Sequence, residues 1–214
     1  MRSATKIIVS TLGVIIGIGG IDHGFLETLH GNIPTSGNAL GEGNNWTLWK
    51  QGGEGAFTLI PNYLITGIVS IIVSFSIIIW SIGFIHRKKG SQLFLFLCIL
   101  LFLVGGGVAQ LLLIILTWAV STRINKPLIW WQKILPKNIR SVLAKLWLGS
   151  LIVFSLLFLS ALEIAIFGFV PGLNDPELIL HICWSILGIA LGILLLTFVS
   201  GFSYDIDRQT NNVI

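Results

Sequence analysis

The sequence predicts an all-α polytopic membrane protein: a bundle of four full transmembrane helices plus a broken or re-entrant helical segment at 91–120. Composition, run length and charge placement all predict it. Of 214 residues, 54% are hydrophobic and only 10% charged, with a mean hydropathy of +0.92. A soluble domain carries about 25% charge, so this chain could not cover a water-facing surface. Apolar runs near the roughly 20 residues that cross a bilayer recur along it. Most of the thirteen Lys and Arg residues fall between or beside those runs, where basic residues set orientation. The same observations exclude disorder, collagen and a disulfide scaffold, since Gly has no period and there are two Cys. Cys98 and Cys183 sit inside apolar runs and read as small buried hydrophobes.

The first span covers about residues 7–29. Arg2, Lys6 and the apolar Ile7–Ile18 have the outline of a signal peptide, but no A-x-A site follows, so it reads as a retained span. Residues 31–58 are polar, rich in Gly and Asn and interrupted by Pro34, and predict an irregular outer loop. Trp46 and Trp49 within it suit a membrane interface. The second span covers 59–85, with Pro61 in its first turn, where proline is tolerated, and ends at His86-Arg87-Lys88-Lys89-Gly90. The apolar stretch 91–120 is interrupted by Gly105-Gly106-Gly107 and Gln110. Residues 123–141 hold Trp130, Trp131 and several basic residues between prolines, which predicts a segment lying in the interface. Spans at about 142–170 and 178–202 follow, joined by a tight turn at Pro171–Glu177. The polar tail, Tyr204 to Ile214, suggests no mechanism. Residues 1–214 thus form one transmembrane domain.

Charge decides how 91–120 is read. With the N-terminus inside and 91–120 crossing once, the five-simple-span alternative, five basic residues are inside and eight outside. With 91–120 entering and leaving on one side, twelve of the thirteen are inside and only Lys50 is outside. The positive-inside rule favours the second arrangement. Each arm would have about 13 residues, roughly 20 Å of helix, too short to span alone.

Ionisable residues within spans are functional candidates by default. His23, Glu27 and His30 stand at i, i+4 and i+7, within about 60° of one helix face if the helix continues that far. Glu163 lies inside the 142–170 span and His181 one turn into the last. In the turned-back topology these groups reach similar depth near the outer face. Carboxylates with imidazoles, including Glu27-x-x-His30, suit one or two transition-metal ions. The expected metal ligands are therefore His23, Glu27, His30, Glu163 and His181, with Glu163 or Glu27 as acid/base if the site is catalytic. The competing reading is a small non-catalytic subunit or transport component in which the same cluster ties helices together or carries protons. Asn62 reads as a helix cap and Gln110 as an interhelical hydrogen-bonder. Asn45-Trp46-Thr47 matches a glycosylation sequon, while Gly52-Gly53-Glu54-Gly55 lacks the Lys-Ser/Thr of a phosphate loop.

A net charge of +4 without a base-reading segment excludes nucleic acid as a partner. The expected partners are the lipid bilayer and a second copy of the chain or a larger membrane complex. The expected location is a prokaryotic plasma membrane with the N-terminus cytoplasmic.

Overall fold

The computed structural model describes residues 3–35, 37–40 and 55–211. Trp46, Trp49, Lys50, the Asn45 sequon and the stretch from Gly52 to Glu54 lie outside them. Among the described residues four helices are long and apolar enough to cross a membrane: α1 (Ala4–Thr28), α2 (Tyr63–Gly83), α6 (Lys137–Phe167) and α7 (Pro176–Asn211). Between α2 and α6 lie α3 (Gly90–Leu103), α4 (Gln110–Ser121) and the short α5 (Ile129–Ile134). Strands β1 (Ala39–Leu40), β2 (Ala56–Thr58) and β3 (Val104–Gly107) complete the elements among the described residues.

Local chemistry sets the helix ends. Asn62 caps α2, its side chain accepting from the Ile65 N–H at 3.1 Å, as the residue before an apolar run should. Gly168, at φ 58°, closes α6 in the left-handed conformation. Asp175 accepts from the Glu177 N–H at 3.0 Å and Pro176 stands first in α7. α6 starts before the expected span 142–170 and ends short of it at Phe167, while α7 overruns 178–202 at both ends. α7 absorbs Tyr204–Asn211, so the described part of the polar tail is helix.

Segment 91–120 is two helices separated by β3. Its turn is more than the glycine bend that the sequence suggests. β3 pairs antiparallel with β2, with Ala56 opposite Gly107 and Thr58 opposite Val104, and β2 pairs with β1. The loop 31–58 is therefore partly sheet, which corrects the irregular reading. Backbone that leaves the helical state inside a helix bundle needs other hydrogen-bond partners, and β2 supplies them. The far ends of α3 and α4 come together again. Asn125 Nδ2 donates to the His86 carbonyl at 3.3 Å, and Trp80 Nε1 donates to the Gly90 carbonyl at 2.9 Å.

α1 is the central helix. It packs closely on α2 through small residues: a Cβ on Gly24 would sit 2.7 Å from the Gly67 carbonyl oxygen, and one on Gly67 would sit 2.5 Å from that of Gly24. Only two glycines allow the backbones that approach. The core around α1 contains Ile8, Leu12, Ile16, Phe94, Leu101, Phe154 and Leu194. α6 and α7 form an antiparallel pair whose outer faces are largely exposed. The pair is pinned to α1 at one end. Asp205 accepts from the backbone N–H groups of Ala4 (2.8 Å) and Thr5 (3.0 Å), and from the Ser3 hydroxyl, while Arg140 Nε pairs with Asp207. α5 stands where the interfacial segment is expected; Trp130 is 62% exposed and Trp131 packs against Phe202.

Candidate functional site

Glu27 is the most unusual residue of the bundle. It lies in the last turn of α1, which ends at Thr28, and its side chain points inward with 0% exposure. Both carboxyl oxygens are buried without a hydrogen-bond partner among the described residues. The carboxyl rests on Gly105 in β3. A Cβ built there would fall within 2.4 Å of both oxygens, and Gly105 holds φ +105°. The carboxyl thus occupies the notch where the helical segment breaks into strand. Thr66 donates to the Val104 carbonyl at 2.8 Å and meets Thr58, anchoring the other side of β3.

Further buried polar groups follow α1 away from Glu27. Ser74 Oγ would meet a Cβ on Gly20, the Gln110 amide one on Gly19, and Ser81 Oγ one on Gly13. The Ser74 hydroxyl, both ends of the Gln110 amide, Ser81 Oγ and Thr117 Oγ1 have no partner among the described residues. A buried unsatisfied polar group costs about 1–3 kcal/mol. Seven such side chains among the described residues, counting Glu27, Thr5 and Ser200, mark the bundle interior as more than packing. Gln110 is 6% exposed, and its expected interhelical hydrogen bond is not formed among the described residues.

The other candidate residues do not join Glu27 in one site. Asp22 and His23 are half-buried, and Asp22 lies within electrostatic reach of both Glu163 and His23. Glu163 and His181 are exposed on the α6–α7 pair, each two residues along its helix from the contact between Cys183 Sγ and the Ala161 carbonyl. His30 lies beyond the end of α1, stacked on Tyr63 at 4.6 Å between ring centroids. Among the described residues no three His, Cys, Asp or Glu side chains are grouped to hold a metal. The metal expectation for His23, Glu27, His30, Glu163 and His181 is therefore not supported. Azimuth is the physical reason. Glu27 turns towards β3, whereas Glu163 meets the Asp22 side of α1, about 140° round an ideal helix.

The sequence reading passed over the serine line of α2, although its signal is visible. Ser70, Ser74 and Ser81 recur at helical spacing in an Ile-rich span, and all three are fully buried. Asp205, Arg140 and Asp207 were equally unassigned, because their partners lie far along the chain. No protein-family model, characterised protein or solved structure matches this sequence.

Proposed function

We propose that this protein is a small membrane transport component that carries protons through the interior between α1, α2 and α4, with Glu27 as the exchanging carboxyl. In this reading α3, β3 and α4 form a re-entrant unit. It enters the bilayer from the basic, cytoplasmic face of a prokaryotic plasma membrane and returns to it, and α1 begins on that same face. The observation that carries the proposal is the fully buried Glu27 carboxyl, unpaired among the described residues and lodged at the break between two half-helices. Broken helices meeting ionisable groups are a recurrent way to build an ion site inside a bilayer. The hydroxyl and amide groups beside Gly20, Gly19 and Gly13 supply further proton-relay positions. They are separated along α1 by up to about 10 Å, so water must bridge them.

The test is proton flux in proteoliposomes under an imposed potassium diffusion potential, read with an internal pH-sensitive dye. Wild-type protein should dissipate the gradient. Glu27→Gln should slow the flux about tenfold or more while the helical circular-dichroism spectrum stays the same. No flux above empty liposomes, or full flux in a folded Glu27→Gln variant, ends this reading.

A second reading, a subunit of a larger assembly, is favoured by one observation. Glu163 and His181 are exposed on a pair of helices whose outer faces are otherwise mainly apolar. Ionisable groups facing lipid are costly, so a protein neighbour would stabilise them. The two readings are compatible.

A further inference from the structure

We infer that the cavity at the basic end of the molecule binds the phosphate of an anionic phospholipid headgroup. The cavity holds about 410 Å³ and opens where α3 leaves and α4 returns. One wall is His86, Arg87, Lys88 and Lys89; the other includes Asn125 and Lys126, tied across by the Asn125–His86 hydrogen bond. Among the described residues no carboxylate lines it. Four permanent cations, exposed around an open cleft, recruit a phosphate, and basic cavities between membrane helices are known to hold phospholipid headgroups.

Three features distinguish the cavity from basic residues that merely orient the chain. Lys89 (φ 65°) and Asn125 (φ 61°) are the two non-glycine residues with positive φ among those described, and they stand on opposite walls. A left-handed lysine is strained, and such strain gathers at binding sites. Next, α3 starts at Gly90 inside the cavity, and its 14-residue helix has no side chain capping its N-terminus. Finally, Arg123 lies between this rim and α5, where Trp130 is 62% exposed, as an indole at headgroup depth would be. That depth favours a lipid over a soluble phosphate. The inference does not depend on the role given to Glu27.

The experiment uses the full chain in neutral detergent. Binding of short-chain phosphatidylglycerol, phosphatidylcholine and inorganic phosphate is read by native mass spectrometry and by thermal shift. Phosphatidylglycerol should bind and stabilise, and the other two should not. Lys88→Gln with Lys126→Gln should weaken phosphatidylglycerol about tenfold or more. A control that removes the same charge from the same face outside the cavity, Lys133→Gln with Lys137→Gln, should leave binding within about twofold. If the double variant aggregates, Lys126→Gln alone should still weaken binding beyond that control. Equal loss in the control overturns the site. Inorganic phosphate binding as tightly as phosphatidylglycerol overturns the lipid as its ligand.

Discussion

Glu27 and Gly105 are coupled, and the coupling is measurable. Alanine at 105 would put a methyl within 2.4 Å of both Glu27 oxygens and force φ +105° on a residue with a Cβ. Gly105→Ala should therefore destabilise the protein by about 2 kcal/mol or more in detergent unfolding. In a Glu27→Ala background the clash disappears and only the backbone strain remains, so the same substitution should cost visibly less. Equal costs in both backgrounds would mean that the two residues are not in contact. Glu27 itself should behave unlike a structural carboxylate. It has no hydrogen-bond partner to lose among the described residues, so Glu27→Met should leave stability unchanged or raise it. Such a gain, joined to loss of flux, is the signature of a residue kept for activity at the expense of stability. A stability loss above about 2 kcal/mol would instead make Glu27 a packing residue.

At the scale of elements, the sequence revealed lengths better than directions. Four spans were legible because about 20 apolar residues have few other uses. The break near residue 105 was legible because three glycines cannot hold a helix well. The strand there was not, because its partner Ala56–Thr58 is three residues long and lies far upstream in a polar loop. The grouping of Glu27 with Glu163 failed for a related reason. A helix that is apolar all round carries no stripe to say which face meets which neighbour. Polar anchors were harder still: Asp205 reads as tail until α1 is placed against it. That anchor is testable. Asp205→Ala removes the acceptor for two backbone N–H groups at the start of α1, and should cost about 1–2 kcal/mol. Asp205→Asn retains one acceptor oxygen and should recover part of the loss. If Asp205→Ala unfolds at the wild-type temperature, α7 does not hold α1 in this way.

Across the whole molecule, α1, α2 and the α3–β3–α4 unit make one closely packed body, and the α6–α7 pair joins it through core residues such as Phe154 and Leu194 and through Asp205 and Gly201. The pair exposes Leu156 (62%) and Trp184 (64%), with Glu163 and His181 also exposed towards its other end. A surface facing lipid on every side gains nothing from two ionisable groups, and each would destabilise the inserted state by about 2.5–3.5 kcal/mol if charged at mid-depth. A surface facing a second copy or another membrane subunit could pair them, since a carboxylate and an imidazole are complementary. The expectation is that detergent-purified protein runs as an oligomer in light scattering, and that Glu163→Leu with His181→Leu shifts it towards the monomer. Lipid exposure predicts the reverse: a monomer from the start, made more stable by the same leucines because they remove polar groups from hydrocarbon. Mass and unfolding temperature, measured on the same two samples, separate these outcomes. A monomeric wild type stabilised by the double substitution would leave Glu163 and His181 without a neighbour from a second chain and end the subunit reading.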